Sequence, residues 1–409
     1  MTGNTENTDH YAWVILTLFL FAQLVMSMGS YAWGPLASFI RDEYGVSRAQ
    51  LGLLTSTLYL ASILVAVPSG ILVDRVGARI MLILCLLIMG LSFCLIFVAS
   101  TFWLVIAFTA LSGIGYGVIN QASSKGILLW FPRKRRATAM GIKQMGVTLG
   151  GALSAVLIPI IALGSSWRWS ALIIGVLMLL MAFVSGGFYR ERPEKISGMM
   201  ETNQETHGKN NLFMNFISNP ILLIVVLVMP FMAFSQSSVA AFLVLYLDEK
   251  IGLSLGLAGS CLTIAMIAGT AGRIVWGLIS DICFHGDRIR PAFILSLIGA
   301  LSLGGIGLIH AETNVYTIFI LSAFIGFTTI GWNALLMILG AELVVPELVG
   351  SYMGIFISIA FVGIVTGPPA FGYLADTFGY RTAWTVLSIT SFLSSAGFAY
   401  MYFLQRKES

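Results

Sequence analysis

The chain has 409 residues, of which 58% are hydrophobic and only 10% are charged, with a formal net charge of +4. A soluble chain of this length needs roughly a quarter charged residues to cover its surface. The composition and a mean hydropathy of +0.92 therefore exclude a soluble monomer and predict an all-α membrane protein. The small net charge gives no reason to expect a nucleic-acid partner.

Apolar runs long enough for the roughly 20 helical residues that cross a bilayer occur twelve times. They lie near residues 11–40, 50–72, 78–99, 102–129, 137–163, 168–188, 217–246, 254–280, 290–311, 315–343, 348–375 and 381–404. A polar stretch at 189–211 separates the sixth run from the seventh. This pattern predicts an N-terminal six-helix bundle (1–188), a central cytoplasmic linker (189–211) and a C-terminal six-helix bundle (212–409).

The distribution of basic residues predicts the orientation of the chain. Of the 22 lysines and arginines, fourteen fall in segments on the side of the termini, five on the opposite side and three within apolar runs. Cytoplasmic loops carry the excess of basic residues in membrane proteins. We therefore expect a multi-pass protein of the inner (plasma) membrane with both termini in the cytoplasm.

The two halves of the sequence repeat one another. Arg41-Asp42-Glu43 precedes Asp74 by about the same spacing as Leu247-Asp248-Glu249 precedes Asp281. A second register, offset by 213 residues, aligns Asn120 with Asn333. Two copies of a six-helix unit that rock about a site at the bilayer midplane are a known basis for alternating access.

The loop after the second run has a recognisable pattern. Gly70-Ile71-Leu72-Val73-Asp74-Arg75-Val76-Gly77-Ala78-Arg79 resembles the signature loop of the major facilitator superfamily, and Gly277 to Asp281 repeats its front part before Ile282-Cys283-Phe284 departs from it. The resemblance implies two pseudo-symmetric bundles and a transporter rather than an enzyme. It also implies that Asp74, Arg75, Arg79 and Asp281 take part in gating; the alternative is that the basic loop only sets topology.

Two cations fall deep inside predicted spans, where a charge is costly and marks a functional site by default. Arg273 precedes Asp281 by eight residues, or about 12 Å of helix. Lys143 follows Arg136 by seven residues, or about 11 Å. Their repeat mates are uncharged. The alternatives are an arginine satisfied by helix carbonyls and a lysine that extends its stem to the membrane surface.

All 18 acidic residues fall in loops, tails or near span ends, so these cations lack an evident counter-ion at their depth. An anionic substrate is the natural partner, since a guanidinium binds a carboxylate through two parallel hydrogen bonds. The segment Ala271 to Asp281 also resembles span eight of monocarboxylate and oxalate transporters, where an arginine binds the substrate. The superfamily fold implies that spans five and eight face each other, so both cations are expected in one cavity.

Several polar or aromatic residues at the same depth are candidates for the rest of the site. They are Tyr31, Tyr116, Asn120, Gln144, Gln236, Trp332 and Asn333. A pocket of this kind needs a few polar groups among apolar ones. Asn120 and Asn333 are repeat mates, so a structural hydrogen bond between helices is the alternative for them.

The sequence thus predicts a secondary active transporter of a small organic anion, a mono- or dicarboxylate, that is proton-coupled or exchanges anions. Its expected partners are the anionic substrate, the lipid bilayer and protons, and a monomer is expected to be functional. The four cysteines lack metal-ligand spacing, so no metal or cofactor is expected. The alternatives are an efflux transporter for hydrophobic compounds, a sugar or polyol transporter, and a transporter-like sensor or membrane enzyme.

Overall fold

The computed structural model describes residues 3–132, 135–191, 220–343 and 349–408. Within these ranges, twelve helices or helix pairs are long and apolar enough to cross a membrane, and each overlaps one predicted run. Numbered as spans 1 to 12, they are Gly3–Ser30 with Trp33–Tyr44, Arg48–Val76, Ala78–Ile96, Phe102–Trp130, Arg136–Gly164, Trp167–Phe188, Pro220–Glu249, Leu255–Ile282, Ile289–Leu308, Val315–Ile325 with Trp332–Glu342, Val349–Phe378 and Tyr380–Glu408. Residues 192–211 of the predicted linker lie outside the described residues.

Local sequence sets where the helices begin and end. The side chain of Ser47 accepts from the backbone N–H of Gln50, and the Gln50 side chain accepts from the N–H of Ser47, which together cap the start of span 2. Thr101 caps span 4 in a related way. Gly45 ends span 1 in the left-handed conformation, with a φ of 62°, which glycine adopts without steric cost.

Two spans are irregular near the middle of the bundle. Span 1 is interrupted at residues 31–32, and span 10 contains a π-helical segment, Gly326–Ile330. Such segments widen the helix and occur often at functional sites. The carbonyl of Phe327 accepts from the indole Nε1 of Trp276 at 3.0 Å, so the π segment is held against span 8.

The N-terminal half (spans 1–6) and the C-terminal half (spans 7–12) pack closely at one end. A methyl group added to Gly52 of span 2 would lie 2.5 Å from the carbonyl carbon of Pro368 in span 11. Gly259 of span 8 lies against the backbone of Ala155 in span 5. Small residues allow this approach, as is common between helices in lipid.

The two halves separate toward the other end. Gly141 of span 5 and Gly277 of span 8 have no neighbour within 4 Å of a methyl group added there. By helical periodicity they lie on the same faces as Ala155 and Gly259, respectively. The space between the halves at this end, which we call the cleft, therefore opens toward the side predicted to be cytoplasmic.

Close packing inside the N-terminal half can be tested at Gly117, where an added methyl group would lie 2.6 Å from the carbonyl oxygen of Ser62. We expect Gly117→Ala to lower the thermal unfolding midpoint of the purified protein by several degrees, because overpacking costs about 1–3 kcal/mol. Gly187→Ala is the control, since Gly187 lies in span 6 with no neighbour within 4 Å. Equal midpoints for the two variants would contradict this packing.

Candidate substrate site and gate

Charged residues from both halves meet at the closed end of the cleft. Arg48 of span 2 donates to Asp376 of span 11 at 3.0 Å and to Glu249 of span 7 at 2.7 Å. Glu249 also pairs with Arg41 and accepts from the hydroxyl of Tyr380 at 2.8 Å. We call these five residues the gate cluster. They join spans 1, 2, 7, 11 and 12 and close the end that is predicted to face outside.

Sequence reasoning missed the gate cluster as a functional unit. Arg41 and Glu249 stood out only as markers of the repeat, and nothing in the sequence indicates that the two repeats meet there. The available signal was that Arg41 and Arg48 are two of the few basic residues predicted on the outer side.

The residues predicted to gate the opposite end make contacts within their own halves. Arg79 donates to the carbonyl of Gly186 at 2.5 Å, Arg75 is exposed, and Asp281 pairs with Arg288. The hydrogen bonds that Glu342 and Asp281 accept raise the pKa of Arg288. The side chain of Asp74 lies outside the described part of the structure. Gating by these residues stays a prediction.

Arg273 lies on the face of span 8 that points toward the N-terminal half. On this face Thr263 donates to the carbonyl of Ala152 at 3.2 Å and Met266 lies against Gly151. Arg273 follows Met266 by two helical turns, about 10 Å further toward the open end. Spans 5 and 8 thus face each other, as expected, and Arg273 lies where the cleft begins to widen.

The guanidinium of Arg273 is tethered at one nitrogen only. Its Nε lies 3.4 Å from the carbonyl oxygen of Ile330, at the end of the π segment. Its two Nη groups have no hydrogen-bond acceptor among the described residues, and Tyr31 and Tyr116 of the N-terminal half are close enough to interact electrostatically with its charge. The arginine therefore presents a fixed pair of unused donors.

Three tyrosines of the N-terminal half and Gln236 of span 7 lie between the two halves near this level. The Tyr59 and Tyr116 rings pack edge to face, with their centroids 5.8 Å apart. A small cavity at this level is lined by Tyr31, Tyr59 and Gln236, among others. Tyr59 was not predicted from the sequence, because a tyrosine in an apolar span has no pattern that separates a site from simple packing.

The side-chain amide of Gln236 is fixed by span 10. Its Oε1 accepts from the indole of Trp332 at 2.9 Å and from the amide of Asn333 at 3.1 Å. An indole N–H can only donate, so the oxygen of Gln236 must face span 10, while the residue also lines the small cavity beside Tyr31. The structure therefore brings Gln236, Trp332 and Asn333 together with Tyr31, Tyr116 and Arg273.

The sequence predicted that both cations would face one cavity, but the structure turns Lys143 away from the cleft. Its side chain is only 1% exposed, and its Nζ donates to Oδ1 of Asn120 at 2.7 Å within the N-terminal half. The residue on the face of span 5 that points toward span 8 is Gln144, two turns from Gly151, and it is exposed. The physical reason is the 100° step between neighbouring helix positions, which turns Lys143 inward when Gln144 faces the cleft.

The sequence profile of the Major Facilitator Superfamily matches residues 19–356 and, in a second match, residues 231–409. The chain belongs to this family. It is therefore a membrane transporter and not an enzyme, as the signature loop predicted, with two pseudo-symmetric six-helix bundles.

Two curated relatives and one solved structure are similar to this transporter over most of their length. The hexuronate transporter of Bacillus subtilis (strain 168) is 26% identical over 379 residues, which cover 90% of this chain and 88% of the relative. A probable hexose phosphate transport protein of Chlamydia muridarum is 24% identical, with 88% and 83% covered. The inward-facing, unoccupied crystal structure of a bacterial homologue of the human lysosomal transporter Spinster superposes with a TM-score of 0.81 at 19% identity, with 96% and 98% covered.

The gate cluster can be tested with a cysteine placed behind it, at Thr55, which is buried between the halves. In a background without the four native cysteines, we expect Arg48→Ala to speed labelling of Thr55→Cys about threefold or more when a membrane-impermeant thiol reagent is applied to intact cells. The reason is that the variant loses two inter-half ion pairs, each worth up to about 1 kcal/mol.

Arg168→Ala is the matched control for this experiment. Arg168 has a similar exposure to Arg48 but pairs with Glu43 inside one half. Its removal is expected to leave the labelling rate unchanged. Equal rates in the two variants would mean that the gate cluster does not hold the halves together.

Proposed function

We propose that the protein carries a small organic anion across the membrane by alternating access, with the anionic group bound by Arg273. The observation that carries the proposal is that, within the described part of the chain, both Nη groups of Arg273 are free. Its Nε contacts the π segment where the cleft begins to widen. A desolvated cation without a partner is costly. A bound carboxylate satisfies it through two parallel hydrogen bonds.

The surroundings of Arg273 favour an anion that also carries hydroxyl groups. The hydroxyls of Tyr31 and Tyr116 and the oxygen of Asn333 can accept hydrogen bonds from a substrate, whereas the amide N–H groups of Asn120 and Gln236 can donate. Two relatives are named as a hexuronate transporter and a probable hexose phosphate transport protein. Both of these compounds combine an anionic group with hydroxyls. A hydroxylated carboxylate therefore fits better than a short alkyl monocarboxylate.

The packing of the two halves supports an inward-facing state in the predicted orientation. The gate cluster joins them at the outer end, and the cleft opens at the end where Gly141 and Gly277 have no neighbour. Substrate that enters from the cytoplasm reaches Arg273 directly. Rocking of the halves would then open the gate cluster and expose the same site to the other side.

The alternatives are less well supported. A cationic compound would be repelled by Arg273, and the described spans offer no carboxylate at its depth. A neutral sugar can bind to the tyrosines and amides but leaves the guanidinium without a charged partner. The proposed site is compatible with both proton coupling and anion exchange.

The proposal predicts that binding depends on the substrate charge and on Arg273. We expect D-glucuronate to raise the thermal unfolding midpoint of the purified protein, because a ligand that binds only the folded state stabilises it. D-glucuronamide, which has the same shape without the charge, should have little effect. D-glucose 6-phosphate tests whether a phosphate replaces the carboxylate.

Two substitutions separate the charge of Arg273 from its planar fork. Arg273→Ala should weaken D-glucuronate binding about 100-fold or more, since two charge-assisted hydrogen bonds are lost. Arg273→Lys keeps the charge but not the paired donors, and an intermediate loss is expected. Wild-type affinity in Arg273→Ala, or equal binding of glucuronate and glucuronamide by the unmodified protein, would refute the anion site.

A further inference from the structure

Lys143 and Asn120 form a pair in which only one member reaches the cleft. Lys143 is 1% exposed, whereas Asn120 is exposed and lies one helical turn from Tyr116 on span 4. The ammonium lies 2.7 Å from Oδ1 of Asn120. The charge of Lys143 therefore lies behind the amide, and any ligand in the cleft meets Asn120 first.

The chemistry of the pair fixes the orientation of the amide. An ammonium has three donors and no acceptor, so the atom of Asn120 that faces it must be the oxygen. The N–H₂ group then points away from Lys143, toward the cleft. An ammonium bonded to the amide oxygen also polarises the amide, which makes its N–H groups better donors.

The C-terminal half contains an equivalent arrangement built from other residues. There the donors are Trp332 and Asn333, and the amide whose oxygen they bind is Gln236. Each half thus turns one amide oxygen away from the cleft and leaves N–H groups facing it. Both arrangements favour a ligand that accepts hydrogen bonds.

We propose that Lys143 is a positioning residue that selects for anions through Asn120, which it holds with its N–H₂ group directed at the substrate, rather than a residue that binds the substrate itself. This inference rests on the proposed function, because it assigns a role within the same site. It replaces the expectation from the sequence that Lys143 and Arg273 both contact the anion.

The placement of the pair is tested without any substrate. In the background without native cysteines, Asn120→Cys should react readily with a small negatively charged thiol reagent, methanethiosulfonate ethylsulfonate, in inverted membrane vesicles. Lys143→Cys should react at least about tenfold more slowly, because its position lies behind span 4. Comparable rates would mean that Lys143 faces the cleft and would overturn the inference.

The role of the pair is tested by two replacements of Lys143. Gln can still donate to the oxygen of Asn120 but carries no charge, whereas Met resembles lysine in shape and donates nothing. If Lys143 orients Asn120, Lys143→Gln binds D-glucuronate within about threefold of wild type and Lys143→Met binds about tenfold more weakly or worse. Equal losses in both variants would show that the charge acts directly, and no loss in either would show that the pair has no role.

Asn120→Asp keeps the inference testable if a Lys143 variant does not fold. The new carboxylate pairs with Lys143, so the protein is expected to stay folded with an unfolding midpoint near that of wild type. Its second oxygen would face the cleft in place of a donor, and glucuronate binding should fall at least about tenfold. Undiminished binding would overturn the inference. If the unmodified protein binds no glucuronate, the proposed substrate class fails, and the labelling rates then decide whether Lys143 lies behind Asn120.

Discussion

The guanidinium of Arg273 lies in the membrane region, and among the described residues the protein supplies a hydrogen-bond acceptor only for its Nε. Arg273 lies deep within span 8, where an uncompensated charge costs several kcal/mol. The carbonyl of Ile330 satisfies Nε and leaves the two Nη groups for something else. Ile330 is the last residue of the π-helical segment Gly326–Ile330. The π segment in span 10 is therefore part of how the site holds its arginine.

The same requirement connects the site to the movement of the two halves. Tyr31 and Tyr116 of the N-terminal half interact electrostatically with Arg273 of the C-terminal half, so the proposed site draws on both halves. The gate cluster joins the halves at the end predicted to face outside. A substrate can shift the balance between this state and another only through contacts that differ between them. Groups on opposite sides of the cleft are placed to make such contacts.

The repeat supplies two similar scaffolds that carry different side chains. Lys143 of span 5 corresponds to Phe356 of span 11, and Asn120 of span 4 corresponds to Asn333 of span 10. In the N-terminal half the asparagine accepts from the lysine, and in the C-terminal half it donates to Gln236. One repeated position thus has opposite hydrogen-bonding roles. An asymmetric substrate requires such a difference, and a symmetric scaffold can provide it only by changing individual residues.

Much of this architecture could be predicted from the sequence. The number of spans and their approximate ends follow from apolar runs whose length is set by the bilayer, and the repeat and the signature loop identify the superfamily. The depth of Arg273 and Lys143 could also be predicted, because depth depends only on helical rise from a charged span end.

The sequence did not determine the direction in which each side chain points, since adjacent helix positions differ by 100°. Only the tertiary structure turned Lys143 onto Asn120 and left Gln144 at the cleft. The pairing of Arg48 with Glu249 and Asp376 likewise required the fold, because these residues are more than 100 positions apart in the chain and only the packing of the two halves brings them together.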